Sequence, residues 1–250
     1  KWKTKIRINK LFLDAKVSSA VVNEYSKLTG RPYDVSIEHM VEVPIGAGYG
    51  VSGAGALSLS IVLNEALNAG LSRIEAAQLA HIAEIRCKTG LGTVLAETFG
   101  GVEIREKAGA PGYGSVRKID DSNLKVVSLY LNPLFTEYFL SNPEFYKRVN
   151  IVGKGLMNQL IKSPSIKNFI LLSRFFADGL NLYSCKLREI LRELDASKFL
   201  FTMNMFGEAL FTLVKEDELQ NLIPILCGYE SQGVKIIVSD VDKKGARLME

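Results

Sequence analysis

Apolar and polar residues alternate from Lys3 to Leu13, with Ile6, Ile8, Leu11 and Leu13 on one side, which predicts a strand. Val17, Ala20, Val21, Tyr25 and Leu28 follow at helical spacing, so Ala15 to Leu28 reads as a helix stopped by Thr29-Gly30-Arg31-Pro32. Alternation returns from Tyr33 to Val43 through Val35, Ile37, His39, Val41 and Val43, a second strand in which His39 is a packed residue. A helix is predicted from about Ala54 to Leu67, ended by Asn68-Ala69-Gly70. Ser72 with Glu75 three residues on forms a capping box opening another helix that runs to about Cys87. Thr89-Gly90-Leu91-Gly92-Thr93 breaks it, Val94 to Phe99 reads as a further helical turn, and Gly100-Gly101 leads into a strand over Val102 to Arg105. Residues 108–114 read as a loop. Texture changes at Lys125 to Leu131, a strong strand. From Pro133 to Leu194 the pattern is mostly helical, with X-Pro breaks at 132–133, 142–143 and 163–164. Strands over Lys198 to Met203 and Ala209 to Val214, a helix over Glu216 to Cys227 and a strand over Val234 to Asp240 complete the chain. The change of texture places a domain boundary near 120–125, giving domains 1–122 and 123–250 of an α/β (α+β) protein.

Between the second strand and its helix lies Pro44-Ile45-Gly46-Ala47-Gly48-Tyr49-Gly50-Val51-Ser52-Gly53-Ala54-Gly55-Ala56. Glycine has no side chain and reaches φ > 0 freely, so such a loop exposes its backbone. Feeding a helix N-terminus, it presents several N–H groups with the positive end of the helix dipole behind them, which suits a phosphate group. A turn of small residues that lets a helix pack closely on a sheet would read the same. Two further stretches carry chemistry. Glu84 lies among Ala80, Ala83 and Ile85, so its carboxylate is expected to point inward, where it needs a partner. A bound Mg²⁺ or Lys88 at i+4 would each serve. Thr89 and Thr93 place hydroxyls on a tight turn where a substrate oxygen could sit, although glycines there also simply end a helix.

Composition narrows the classes. Hydrophobic residues make up 47% of the 250 and charged residues 23%, ordinary for a globular protein large enough to bury one or two cores. The formal charge is +4, with basic and acidic residues interleaved, so no nucleic-acid-binding stripe emerges. Cys87, Cys185 and Cys227 are far apart and form no CxxC pair, which predicts a reducing compartment without disulfides or a zinc site. Asn64, Glu65 and Asn68 interrupt the longest apolar stretch, and no signal peptide is legible, so a cytoplasmic protein is expected. The chain enters at Lys1-Trp2-Lys3 without methionine, straight onto a strand, from which a missing N-terminal segment is expected.

Taken together, the loop over 46–58, Ala80-His81-Ile82-Ala83-Glu84-Ile85, Thr89-Gly90-Leu91-Gly92-Thr93-Val94 and Gly109-Ala110-Pro111-Gly112 resemble the GHMP small-molecule kinases, and among them the archaeal-type pantoate kinases. The resemblance is dense from about 41 to 114 and thin beyond. It implies an N-terminal α/β domain with a left-handed β-α-β unit and a ferredoxin-like C-terminal domain. It also implies ATP with Mg²⁺ as cofactors and pantoate as acceptor, phosphorylated to 4-phosphopantoate in coenzyme A synthesis. Gly46, Gly48, Gly50, Ser52, Gly53, Ala54 and Gly55 would hold the nucleotide phosphates, and Ser52 with Glu84 the metal. Thr89 and Thr93 would orient the acceptor hydroxyl. The pantoate carboxylate calls for a cation; Arg86 and Arg105 are the candidates near these stretches, with Arg105 preferred. Related kinases often dimerise, so a homodimer is an expectation, although no interface is legible in the sequence. Rival readings are a GHMP kinase for homoserine, a mevalonate-type acid or a sugar, and a non-catalytic nucleotide-binding homologue.

The chain departs from the pattern in three places, one being the absence of the N-terminal motif, a strand plus turn that contributes to the acceptor pocket in the superfamily. Many GHMP kinases carry a Ser-Gly-x-Asp turn whose aspartate acts on the acceptor hydroxyl, whereas Gly92 stands at that position here. Phosphoryl transfer depends mainly on positioning and charge neutralisation, so catalysis without a dedicated aspartate base is expected. The C-terminal glycine-rich motif is reduced to Met203-Asn204-Met205-Phe206-Gly207-Glu208, with a single glycine.

Overall fold

The computed structural model describes residues 4–90, 92–120, 122–133 and 143–249. Leu91 of the threonine-glycine turn, the start of the helical stretch after Pro133 and the entering Lys1-Trp2-Lys3 lie outside them. The chain divides into two compact units. One comprises Lys1–Val43, Gly50–Arg117 and Asp242–Glu250; the other comprises Pro44–Tyr49 and Lys118–Val241. Among the described residues no helix is long and apolar enough to cross a membrane.

The first unit opens with β1 (Lys5–Ile8) and β2 (Leu11–Phe12), an antiparallel hairpin where the alternation predicts a single strand. Asn9 and Lys10 both take positive φ (50° and 70°) and make the two-residue turn. Helix α1 (Lys16–Thr29) ends on Gly30 in the left-handed conformation, and β3 (Ser36–His39) returns parallel to β1. The sheet order is β2-β1-β3. His39 is a packed residue, as read from the sequence, with Nε2 2.9 Å from Ser18 Oγ. Helices α2 (Val51–Ala66) and α3 (Arg73–Cys87) pack with α1 over a core of Val21, Tyr25, Leu57, Leu63, Ala77, Ala80 and Ala83. The small alanines of α3 allow close helix approach. Two buried hydroxyls lace the three helices: Tyr25 donates to the Ser60 carbonyl at 2.6 Å, and Ser60 Oγ donates to the Ala76 carbonyl at 2.6 Å. The Ser72–Glu75 capping box starts α3 as its sequence indicates. Helix α4 (Thr93–Phe99), β4 (Val102–Lys107) and β5 (Ser115–Ile119) follow, β5 being a strand that the apolar pattern does not announce.

The second unit is built on β6 (Leu124–Asn132), α5 (Pro143–Lys162), α6 (Ile166–Gly179), α7 (Cys185–Ala196), β7 (Thr202–Met203), β8 (Glu208–Lys215), α8 (Glu216–Glu230) and β9 (Lys235–Asp240). Its strand order is β7-β8-β6-β9, with every pairing antiparallel. In chain order that is the β-α-β-β-α-β arrangement of a ferredoxin-like domain, with extra helices in the first crossover. Val127, Leu129, Leu210, Leu187, Ile190, Leu194, Leu222 and Leu226 form its core.

Candidate active site

Helix α2 begins at Val51, three residues earlier than its apolar pattern suggests. Ser52, Gly53, Ala54 and Gly55 therefore lie in its first turns, and only Gly46, Gly48 and Gly50 belong to the loop. Those three take positive φ of 78°, 74° and 73°, conformations that favour glycine. The N-cap is Gly50, and no side chain caps the helix. Its first-turn N–H groups are thus left for an external acceptor, with the helix dipole behind them. Gly55 points elsewhere: a Cβ there would meet the His39 ring at 3.7 Å.

The loop itself is anchored in the second unit. Ser128 Oγ donates to the Leu210 carbonyl at 2.8 Å, so Tyr49, 2.7 Å away, uses its own hydroxyl proton to reach Ser128. Asn204 Nδ2 donates to the buried Ala47 carbonyl at 3.1 Å.

Four glycines of the first unit share one feature: the space that a Cβ would take is filled by a polar side chain. At Gly50 and Gly53 the neighbours are Thr93 and the Glu97 carboxylate, with Glu97 Oε1 at 2.7 Å from the first site and Oε2 at 2.9 Å from the second. Gly90 makes room for Glu84 Oε2, and Gly92 for the Arg105 guanidinium. These glycines do more than end helices; they admit a carboxylate, a second carboxylate and a cation around the start of α2.

Glu84 is 1% exposed, on the buried face of α3. It is not paired with Lys88 among the described residues. Thr89 Oγ1 donates to its Oε1 at 2.6 Å, and the Ser52 hydroxyl lies near the carboxyl group. Burial raises the carboxyl pKa above the usual range, while the Thr89 and Ser52 hydroxyls oppose the shift. Oε2 is buried with no hydrogen-bond partner among the described residues. A buried carboxylate oxygen without a donor is an incomplete arrangement that a cation would complete. The Thr89 hydroxyl is committed to Glu84, while Thr93 turns its methyl towards Gly50 and Gly53 at the helix start and its Oγ1 towards Gly90.

Sequence reasoning missed Glu97. Its signal was a single acid in the run Thr93-Val94-Leu95-Ala96-Glu97, one helical turn after Thr93 and hence on the same face of α4. Its pKa is pushed up to about 8, first by burial, then by the Glu84 charge, with Arg105 pulling the other way. Oε2 again has no partner. A carboxylate does stand beside the turn, supplied by α4 rather than by the turn itself. Arg86 pairs with Glu24. Arg105 is partly exposed, with Nε donating to Glu103 at 2.8 Å and its guanidinium lying against Gly92.

A raised pKa means that folded Glu97 holds a proton that the unfolded chain releases near pH 4.5. Its contribution to stability is complete below that pH and is lost as pH rises towards about 8. Metal-free protein is expected to lose roughly 1 to 2 kcal/mol between pH 5 and pH 8 after allowance for the solvent around Glu97. Urea midpoints in chelator measure this, and Glu97→Gln should flatten the slope.

Residues 15–101 match the family model for the GHMP kinases N-terminal domain. The chain is 33% identical over 208 residues to a pantoate kinase of Methanocaldococcus jannaschii, covering 82% of this chain and 74% of that protein. The chain belongs to the pantoate kinase family of GHMP kinases. A pantoate kinase of Thermococcus kodakarensis is 34% identical over 194 residues, 77% of this chain, and the chain spans 64% of its length, less than two thirds. A solved structure described as a phosphotransferase related to the CoA biosynthesis pathway superposes with a TM-score of 0.83 at 29% identity, over 96% of this chain and 79% of that one. The start of α2 and the Glu84 carboxylate both lie within the residues that match the GHMP kinases N-terminal domain.

Proposed function

We propose that the chain transfers the γ-phosphoryl group of ATP to a hydroxyl of pantoate, forming 4-phosphopantoate for coenzyme A synthesis in the cytoplasm. The observation that carries this reading is the meeting of an uncapped helix N-terminus with a buried, under-partnered Glu84. The loop glycines and the first turn of α2 would hold the nucleotide phosphates through backbone N–H groups. Ser52 and Glu84 would hold Mg²⁺, since a hydroxyl and a carboxylate are the hard oxygen donors that this ion takes together with phosphate oxygens and water. Bound there, Mg²⁺ would neutralise phosphate charge. No group of three or more His, Cys, Asp or Glu forms a closed metal cage among the described residues, in keeping with an ion whose remaining ligands come from the nucleotide.

Thr89 positions Glu84, and Thr93 faces the helix start where the transferred group would lie. Arg105 would hold the pantoate carboxylate, for which a planar guanidinium is well matched. Free Cys87, Cys185 and Cys227 suit a reducing compartment. The test is ADP release with pantoate, homoserine and mevalonate as acceptors. Pantoate is expected to support a kcat/KM at least about tenfold above the others, which corresponds to about 1.4 kcal/mol of discrimination. No pantoate-dependent ADP release would refute the assignment.

A further inference from the structure

We propose that Glu97 is the carboxylate that receives the acceptor hydroxyl proton, in the role left without an acid at Gly92. The inference rests on the kinase reading above and adds a residue to it.

Steric exclusion comes first. The Arg105 guanidinium occupies the space that a side chain at 92 would need, so position 92 cannot carry an acid while Arg105 keeps its place. A carboxylate can still reach the same region from one turn further along α4, where Glu97 shares a face with Thr93. The longer glutamate side chain supplies the reach that an aspartate in the turn would not need.

The surroundings of Glu97 fit a site that awaits a donor. Its two oxygens lie against Gly50 and Gly53, and a side chain at either glycine would displace them. Oε2 is buried without a hydrogen bond. A glutamate serving the fold would pair that oxygen. Glu97 also lies within the electrostatic reach of both Glu84 and Arg105. Glu84 belongs to the metal and phosphate side of the proposed site, and Arg105 to the acceptor carboxylate. The hydroxyl that joins those two halves of the reaction belongs beside a group that senses both.

The step balances with Glu97 ionised. The acceptor hydroxyl oxygen forms a bond to the γ-phosphorus, and the bond from that phosphorus to the β–γ bridging oxygen breaks. Its electron pair leaves with ADP, and the hydroxyl proton passes to the ionised Glu97 carboxylate, from which it reaches solvent.

Glu97→Gln in the whole chain tests this. The variant is expected to lose at least about 100-fold in kcat, the usual contribution of a positioned proton acceptor. KM for ATP and for the acceptor should stay within about threefold, the Mg²⁺ concentration for half-maximal rate should not move, and binding of a fluorescent ADP analogue should be intact. The thermal midpoint should hold or rise. A kcat within threefold of the parent overturns the proposal. So does a raised Mg²⁺ requirement, which would make Glu97 a metal ligand, or a joint loss of nucleotide binding and thermal stability, which would make it structural. The comparison runs on whichever of pantoate, homoserine or mevalonate the parent phosphorylates. A parent active only on another acceptor refutes pantoate and leaves Glu97 to be judged on that acceptor; a parent inactive on all three overturns both readings.

Discussion

Replacing Glu84 by glutamine is expected to lower kcat about 1,000-fold, or about 4 kcal/mol of transition-state stabilisation, while leaving the fold intact. The carboxylate is almost wholly buried, burial already raises its pKa, and one oxygen has no partner. Such a group is unfavourable in a protein that only needs to fold, because burying a charge without a counter-charge is costly. Glutamine keeps the volume and can still accept the Thr89 hydrogen bond, so packing changes little. What it loses is the negative charge that would neutralise a cation. Thermal stability should therefore stay level or rise, and the Mg²⁺ concentration for half-maximal rate should increase sharply. Steady-state kinetics across a Mg²⁺ series, with a melting curve on the same preparation, decide the matter. A kcat within tenfold of the parent at saturating Mg²⁺ would remove the metal role.

Much of this was legible because local signals agreed with the fold. The Ser72–Glu75 box fixes the start of α3 through two reciprocal hydrogen bonds, and Gly30 ends α1 because the left-handed conformation suits glycine. Glu84 could be placed inward from its apolar neighbours alone. The misreadings have physical causes. Ile6 and Ile8 occupy even positions while Leu11 and Leu13 occupy odd ones, and that change of phase was the trace of the Asn9-Lys10 turn. Strand β5, Ser-Val-Arg-Lys-Ile, is largely exposed and so has little apolar alternation to show. Helix α2 starts early because Gly50 caps it in the left-handed conformation, while Gly53 in its first turn leaves clearance for Glu97 and Thr93. Glu97 was overlooked for a related reason. A search within the turn looks along the sequence, whereas the helix brings the next turn's side chain to the same place.

The lone glycine of the degenerate C-terminal motif has a firmer role than its sequence suggests, and Gly207→Ala is expected to show it. A Cβ at Gly207 would run into the carbonyl group of Ala47 and approach Gly48 N at 2.6 Å. Conversely, a Cβ at Gly48 would meet the Met205 carbonyl oxygen at 2.7 Å and Asn204 Cβ at 2.8 Å. Two backbones thus touch directly, with the Asn204 side chain tied to the Ala47 carbonyl beside them. One glycine suffices because only one position faces the loop at backbone distance. Alanine there must push the Ala47–Gly48 peptide away, and rigid backbone gives way less readily than a flexible side chain. The expected result is a loss of about 2 to 3 kcal/mol of stability, in the range of overpacked sites, with KM for ATP raised about tenfold as the loop ahead of α2 moves. Asn204→Ala is the control: it removes one hydrogen bond without overfilling the contact and should cost only about 1 kcal/mol. Urea unfolding and ATP kinetics on both variants separate the two effects. A Gly207→Ala protein with parental stability and parental KM would mean that the loop tolerates displacement, and that the glycine carries no function.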